Sequence, residues 1–319
     1  MHRRPPVILV CGEALIDAID DADGKQRLMP GGGPFNTARA LARLGVPTVF
    51  MGRLSNDAFG RRLAAELTAD GASLALASYG QEPTTLAVAE LDGAGMAEYE
   101  FFIDGTSAPN LTPDMIPERL SPDITALHVG TLGLVLEPMA STLTEMVQRD
   151  GADRLVMLDP NIRTALLTDV AGYRARLDDL MARSTIVKTS EDDLSWLFPG
   201  LGYEAAADRI RESGTGLVIV TLGPQGAYAA APDLRVSVEA PKTDVVDTIG
   251  AGDAFSAGLL AWLYEKRRID PKLSLDAEEL RAALEFACLA ASLTCARAGA
   301  EPPTRAEMER ARASAGGGK

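Results

Sequence analysis

The chain has 319 residues, of which 46% are hydrophobic and 24% are charged, so it is long enough to bury the core of one large domain. Its 31 basic and 45 acidic residues give a formal net charge of -14, which argues against a nucleic acid as a partner. The three cysteines, Cys11, Cys288 and Cys295, lack the spacing of disulfide or metal motifs, and with two histidines a zinc site is not expected. This cysteine usage fits a reducing, cytoplasmic environment.

The N-terminal segment predicts neither a signal peptide nor a membrane span. Residues 1–6 include basic side chains, but the apolar run behind them, Val7–Cys11, is followed closely by Glu13 and Asp17. Such a run is too short for either kind of segment. We therefore expect no membrane partner.

Short apolar runs alternate with helical patterns along the chain. The runs that predict buried strands are Val7–Cys11, 127–129, 155–158, 186–188 and 217–220, and helical patterns between them include 57–70, 138–149 and 203–211. An alternation of strand and helix predicts an α/β fold, with a mainly parallel sheet and helices on both of its faces. The last residues, 313–319, are small or glycine apart from Lys319 and predict a disordered tail.

Two segments interrupt this alternation, at about 15–30 and 85–103. In the second, apolar and polar residues alternate on either side of a turn at 92–95. These patterns predict β-hairpins. The pattern alone does not distinguish a functional hairpin from a plain surface hairpin.

A glycine-rich run, PGGGPFNTARALARLG, occupies residues 30–45. Consecutive glycines, Gly32 and Gly33 among them, permit a polar ligand to approach the backbone closely, and Asn36 can both donate and accept hydrogen bonds. Asn36 would also suit the N-terminal cap of a helix that ends at Gly45. The residues alone leave both interpretations open.

A second run, DTIGAGDAF at residues 247–255, lies between a predicted strand at 235–238 and an apolar helical pattern at 254–263. Gly250, Ala251 and Gly252 therefore lie where a helix begins, and the free N–H groups and dipole of such a terminus favour an anion. Asp253 lies beside this anion position, where a carboxylate can take a proton from an alcohol. The pattern indicates phosphoryl transfer to a hydroxyl, although a capped glycine turn would have the same composition.

Other nucleotide-binding motifs fit poorly. The sequence Gly-x-x-x-x-Gly-Lys-Ser/Thr does not occur in the chain. A dinucleotide fingerprint needs a third glycine, but Asn36 and Phe255 occupy the corresponding positions. A dehydrogenase is therefore a weak alternative.

The run at 247–255 resembles, over its full length, the C-terminal signature of the ribokinase-like sugar kinases, the phosphofructokinase-B family. The run at 30–45 is similar to the N-terminal glycine motif of the same family, and the two occur in the family's order. The resemblance covers roughly residues 7–303. It implies a single kinase domain over 1–319 with a three-layer α/β/α fold, ATP as donor with Mg2+, and hairpins that form a lid over the sugar and pair in a homodimer.

The resemblance also implies roles for individual residues. In the family pattern Asp253 is the general base, and Gly250, Ala251 and Gly252 form the anion hole. The positions on the sugar side are Asp17, Gly32, Gly33, Asn36, Phe102 and Arg163. The positions on the nucleotide side are Lys188, Glu191, Thr221, Gly223 and Gly226. A monovalent-cation site, for potassium, corresponds to Asp247, the carbonyl of Ile249 and Gly299.

Several of these positions have plainer explanations or depart from the family. Arg163 would also suit a surface salt bridge, and a Thr-x-Gly loop also suits an ordinary turn. The family motif Asn-x-x-Glu appears here with Lys188 in place of asparagine, as in fructokinase-like members, where lysine is a point charge near the ATP phosphates. This departure leaves direct metal ligation by the motif open.

The acceptor could be fructose, 2-keto-3-deoxygluconate, ribose or a nucleoside. Ile103 stands where ketodeoxygluconate kinases carry an arginine that can clamp a carboxylate. Gly33, followed by Pro34, stands where ribokinase-type members carry a lysine after the first two glycines. Both differences resemble fructokinases, so we expect fructose. A noncatalytic sugar- or nucleotide-binding sensor is the alternative of another class, but the retention of Asp253 favours catalysis.

Overall fold

A computed structural model of the chain describes residues 5–20, 26–91 and 97–316. Within these ranges the strands are β1 (Val7–Cys11), β2 (Leu15–Asp20), β3 (Gln26–Gly31), β4 (Thr48–Met51), β5 (Arg53–Ser55), β6 (Ser78–Gly80), β7 (Leu86–Leu91), β8 (Ala97–Phe102), β9 (Ile124–Gly130), β10 (Leu155–Asp159), β11 (Ile186–Ser190), β12 (Leu217–Thr221), β13 (Ala227–Ala231) and β14 (Leu234–Val238). The helices of the same ranges are α1 (Gly33–Arg43), α2 (Ala58–Asp70), α3 (Met139–Asp150), α4 (Val170–Arg183), α5 (Glu191–Leu197), α6 (Tyr203–Glu212), α7 (Ala251–Glu265), α8 (Ala277–Cys295) and α9 (Arg305–Gly316).

The central sheet has the strand order β14-β13-β12-β11-β10-β9-β1-β4. Strands β4, β1, β9, β10, β11 and β12 are parallel, and the antiparallel hairpin β13–β14 extends one edge. The sequence VMLD within β10 and the sequence VIV within β12 are wholly buried, as expected for strands covered on both faces. The mainly parallel sheet predicted from the sequence is confirmed.

Helices cover both faces of this sheet. One apolar cluster joins the sheet to α1, α2, α7 and α8, and includes Leu41, Leu259 and Leu284. A second cluster joins the opposite face to α3, α4, α5 and α6, and includes Leu143 and Leu177. The three-layer α/β/α prediction is therefore confirmed.

A second sheet, the lid sheet, has the order β3-β2-β7-β8. The pairs β2–β3 and β7–β8 are the two antiparallel hairpins expected from the alternating patterns. The parallel pairing of β2 with β7, from Ile16 opposite Leu86 to Ile19 opposite Ala89, joins the hairpins into one sheet. The turn predicted at 92–95 lies outside the described residues.

The C-terminal segment differs from the sequence prediction. Helix α9 continues to Gly316, so residues 313–316 are helical and the predicted disorder of that part of 313–319 is wrong. The physical reason is that the segment RAEMERARASAG is rich in strong helix formers and is anchored by the buried Met308. Residues 317–319 lie outside the described part. In the ranges that are described, every helix is too short or too polar to cross a membrane.

Candidate active site

The candidate site lies at the carboxyl edge of the central sheet, where open parallel sheets bind ligands. Glu13 follows β1, Asp159 ends β10, Lys188 is the middle residue of β11, and Thr221 ends β12. Helices α1 and α7 pack against each other beside this edge. Because parallel strands all end at one edge, residues far apart in the sequence meet here.

The first turn of α7 has the geometry expected of an anion-binding terminus. Gly250 is its N-cap, in the left-handed region with φ 75°, and Ala251 begins the helix. A Cβ added to Gly250 would lie 2.6 Å from Cβ of Ala300, so this position needs glycine for both conformation and space. The N–H of Ala251 donates to the carbonyl of Thr248, whereas Gly252 and Asp253 lie in the first turn, where N–H groups have no intrahelical acceptor.

Asn36 is a partner of the candidate base rather than a helix cap. Helix α1 begins at Gly33 with Gly32 as its N-cap, and Asn36 lies within the first turn. Its amide Nδ2 donates a buried hydrogen bond of 2.9 Å to Oδ2 of Asp253. A Cβ added to Gly33 would lie 3.2 Å from Oδ1 of Asp253, so the glycine also adjoins this carboxylate. The capping interpretation of Asn36 is therefore wrong.

The environment of Asp253 suits a general base near neutral pH. Burial raises the pKa of its carboxyl to about 7. The hydrogen bond from Asn36 and the ammonium of Lys188 lower this pKa, while the carboxylates of Asp159 and Glu13 raise it. A base of this pKa is partly ionised at pH 7 and can accept the proton of an alcohol.

Glu13 organises the glycine run and was not assigned a role from the sequence. It is 2% exposed, and its carboxylate accepts hydrogen bonds from the N–H of Gly33, the hydroxyl of Thr131 and the N–H of Gly133. Burial raises the pKa of this carboxyl above its ordinary value, against the effect of these donors. The signal available in the sequence was a charged residue two positions after a buried strand.

Among the positions expected on the sugar side, Asp17 lies on β2 of the lid sheet and packs against the backbone of Gly31 on β3. A Cβ added to Gly31 would lie 1.9 Å from Oδ2 of Asp17. Burial raises the pKa of Asp17 to about 7, the guanidinium of Arg163 lowers it, and Glu13 raises it. Arg163 is exposed and its side chain also donates to Oδ1 of Asn161 at 2.7 Å. Phe102, at the end of β8, is 49% exposed.

Among the positions expected on the nucleotide side, the structure separates the two residues of the Lys-x-x-Glu motif. Lys188 is 4% exposed, and its ammonium donates to Oδ2 of Asp159 at 2.9 Å. A Cβ added to Gly252 would lie 3.0 Å from Nζ of Lys188, which places the ammonium under the first turn of α7. Glu191 is exposed at the start of α5, where Asp193 completes a capping box with Ser190.

The loop after β12 also lies at this edge. The hydroxyl of Thr221 donates to the carbonyl of Thr189 on β11 at 3.3 Å. Gly223 and Gly226 both have positive φ, and a Cβ added to Gly226 would lie 2.0 Å from the carbonyl oxygen of Val238. The tight loop therefore depends on glycine at 226.

Asp247 joins two loops beside α7. Its carboxylate accepts hydrogen bonds from the N–H of Ile249 at 3.0 Å and from the N–H of Gly299 at 2.8 Å. A Cβ added to Gly299 would lie 2.0 Å from Cε of Met29, so the second loop touches the lid sheet. Within the described residues, no group of three or more His, Cys, Asp or Glu side chains is arranged to hold a metal ion.

Comparisons with known proteins agree with this architecture. The family model described as pfkB family carbohydrate kinase matches residues 6–307. A fructokinase of Rhizobium leguminosarum bv. trifolii is 37% identical over 284 residues, which are 86% of each chain.

Two solved structures are similar in fold. A fructokinase of Xylella fastidiosa with bound ATP has a TM-score of 0.88 at 24% identity, over 97% of this chain and 99% of that chain. A fructokinase of Vibrio cholerae O395, bound to fructose, ADP and calcium, has a TM-score of 0.83 at 26% identity, over 96% of this chain and 98% of that chain. The extent of the family match and the 37% identity decide the assignment. The chain belongs to the pfkB family of carbohydrate kinases.

Proposed function

We propose that residues 1–319 form one kinase domain that transfers the γ-phosphoryl group of ATP to a primary hydroxyl of fructose. The observation that carries this proposal is the pairing of Asn36 with Asp253 at the first turn of α7, which puts a buried carboxylate beside free backbone donors. The 37% identical relative is a fructokinase, and the Vibrio cholerae fructokinase binds fructose and ADP.

The chemistry assigned to the site needs a base and charge stabilisation. Asp253 takes the proton of the fructose hydroxyl while the oxygen of that hydroxyl forms a bond to the γ-phosphorus. The bond from that phosphorus to the bridging β-phosphate oxygen breaks, and ADP leaves with the electron pair. The N–H groups of Gly252 and Asp253, with Gly250 and Ala251 shaping the turn, stabilise the negative charge on the transferring group.

The sugar lies between the lid sheet and the glycine run in this proposal. Asp17 accepts hydrogen bonds from two neighbouring hydroxyls, since a carboxylate offers only acceptors. Gly32 and Gly33 allow the sugar to approach the backbone, and Asn36 orients the reactive hydroxyl toward Asp253. Further contacts to the sugar come from Arg163, whose charge already acts on Asp17, and from the exposed ring of Phe102.

ATP lies over the loop after β12, where Thr221, Gly223 and Gly226 line its phosphates and ribose. Lys188 supplies a positive charge on the phosphate side. The donor chemistry fits a Mg2+ ion held mainly by ATP, because Mg2+ keeps several waters and takes few protein carboxylates. Glu191, exposed at the start of α5, is the carboxylate available to such an ion. The ion would neutralise charge on the phosphates.

A monovalent cation such as K+ fits the oxygen donors near Asp247. Each carboxylate oxygen of Asp247 accepts one N–H, so it keeps acceptor capacity for a hard cation, together with the carbonyl of Ile249 and the loop at Gly299.

We also propose that the lid sheet mediates a homodimer. A cytoplasmic location, where ATP and reduced thiols are abundant, fits the free Cys11, Cys288 and Cys295.

The acceptor is tested by measuring ADP release from Mg-ATP with fructose, ribose, 2-keto-3-deoxygluconate, adenosine and fructose phosphates, each with K+ or Na+. We expect turnover with fructose and stimulation by K+. A higher kcat/KM for another acceptor would overturn the assignment of fructose. Binding of ATP and a sugar without ADP release from any acceptor would favour the noncatalytic sensor.

A further inference from the structure

The buried ion pair between Asp159 and Lys188 is the starting point of this inference. The two side chains are 1% and 6% exposed, and 2.9 Å separates Oδ2 of Asp159 from Nζ of Lys188. Parallel strands β10 and β11 are paired at Leu158 and Val187, so the next residue of each strand is Asp159 and Lys188. The pairing of the strands therefore fixes the ammonium beside this carboxylate.

The same carboxylate is tied to α7. The hydroxyl of Ser256 donates to Oδ2 of Asp159 at 3.2 Å. Ser256 lies one helical turn after Gly252, and the side of Gly252 on which a Cβ would project adjoins the ammonium of Lys188. Asp159 thus links the end of the sheet to the helix whose first turn forms the anion hole.

The other groups around Lys188 do not replace Asp159. Asp193 is engaged by the N–H and hydroxyl of Ser190 and by the N–H of Ile162. Asp253 accepts the hydrogen bond from Asn36. His128 is buried, and both burial and Lys188 lower its pKa to about 3, so its ring is neutral at pH 7.

Burial favours a neutral lysine and lowers the pKa of Lys188, but the carboxylates of Asp159, Asp193 and Asp253 together outweigh this effect and the net pKa is raised. The side chain is therefore a fixed positive charge. A buried ion pair contributes little to stability by itself, because desolvation offsets the attraction. Its position under the first turn of α7 suggests a role in the reaction.

We propose that Asp159 and Ser256 are positioning residues that hold the ammonium of Lys188 under the anion hole, where it contacts the phosphoryl group during transfer. This inference rests on the proposed kinase activity and adds two residues to it. Lys188 acts on the charge that develops on the γ-phosphoryl oxygens, while Asp253 takes the hydroxyl proton and ADP leaves. Once Asp253 is ionised, Asp159 acts on the transfer only through Lys188.

The test compares wild type, Lys188→Met, Asp159→Asn and the double variant with Mg-ATP and the acceptor that wild type turns over best. We expect kcat to fall about 100-fold for Lys188→Met and about tenfold for Asp159→Asn, by analogy with losses of single oxyanion donors. At a pH well above the pKa of Asp253, the double variant should be as slow as Lys188→Met and no slower, because Asp159 has no further role in the transfer step once Lys188 is gone. The KM for the sugar should change little in all three.

The double variant separates this role from a structural one. It leaves no unpaired buried charge, so its thermal stability should recover relative to Lys188→Met. Recovery of kcat together with stability would overturn the proposal, since the pair would then serve only the fold. Asp70→Asn, which removes a carboxylate paired with Arg39 and Arg43 at the end of α2, is the matched control and should leave kcat unchanged.

A second readout is the acid limb of the pH profile of kcat/KM, which reports the base of the free enzyme. The charged or polar groups acting on Asp253 are Asn36, Asp159, Lys188 and Glu13. Because Asp159 raises and Lys188 lowers the pKa of Asp253, Asp159→Asn should move the limb to lower pH and Lys188→Met to higher pH. Shifts in the same direction would contradict the proposal. A wild type without turnover would instead contradict the kinase assignment.

Discussion

The side-chain amide of Asn36 donates a 2.9 Å hydrogen bond to Oδ2 of Asp253, across 217 residues of sequence. The contact joins the glycine run before α1 to the first turn of α7. It orients one carboxylate oxygen and leaves Oδ1, beside Gly33, directed to the position proposed for the sugar hydroxyl. The amide also lowers the pKa of a base that burial raises.

The first prediction concerns the pH dependence of kcat/KM. Asp253 and Asp17 each have a pKa of about 7 and each must be ionised, so activity should fall below about pH 7 with a limiting slope near two. Asn36→Ala removes a donor that lowers the pKa of Asp253 and should move that ionisation to higher pH. Asp17→Asn should reduce the slope to one. If kcat/KM of the wild type fell only below pH 5, this account would be contradicted.

The second prediction concerns stability. The pKa of Asp253 is about 7 in the folded protein against an ordinary value of 3.8, so the folded state binds the proton more tightly. The stability gained from binding this proton is present below about pH 4 and is lost as pH rises to about 7. Asp253→Asn should therefore raise the free energy of unfolding at pH 8 by on the order of a few kcal/mol, which raises the Tm. At pH 4 the substitution should change the Tm little.

Thermal melts of both proteins at pH 4, 6 and 8 measure this difference. The substitution keeps an acceptor for the amide of Asn36 and leaves the Lys188–Asp159 pair intact. Equal Tm values at all three pH values would show that the burial of Asp253 costs the fold no stability.

The third prediction concerns the sugar pocket. In Gly31→Ala the new Cβ would lie 1.9 Å from Oδ2 of Asp17, so the carboxylate must move. We expect the KM for fructose to rise at least about tenfold, the loss typical of one charge-assisted hydrogen bond, with the KM for ATP unchanged. Gly202→Ala is the matched control, because a Cβ there meets nothing within 4 Å. An unchanged KM for fructose would remove Asp17 from the pocket.

Much of the fold follows from local patterns. Residues Val7–Cys11 form β1 as predicted, and the helical pattern at 57–70 is α2 with Asp57 as its cap. Strand β13 was not predicted, because its sequence, AYAAA, lacks the β-branched residues that mark a strand. Its place in the sheet depends on pairing with β12 on one side and β14 on the other, rather than on its own composition.

The sequence could predict the parts of the candidate site whose residues lie in one short segment of the chain. The first turn of α7 with Asp253 is such a segment, and its motif is visible in the sequence. The pairing of Lys188 with Asp159 depends on the register of two strands, which neither segment specifies alone. The role of Glu13 likewise depends on Gly33 and Gly133 meeting it in space.

The most direct test of the central claim is the turnover of Asp253→Asn with Mg-ATP and fructose, measured beside the affinity for each substrate by calorimetry. Asp276→Asn, at the cap of α8, is the control, because asparagine also caps helices well. The account predicts a loss of kcat of about 100-fold or more with both affinities retained, as expected when a general base is removed. Turnover of Asp253→Asn equal to that of the control would contradict it.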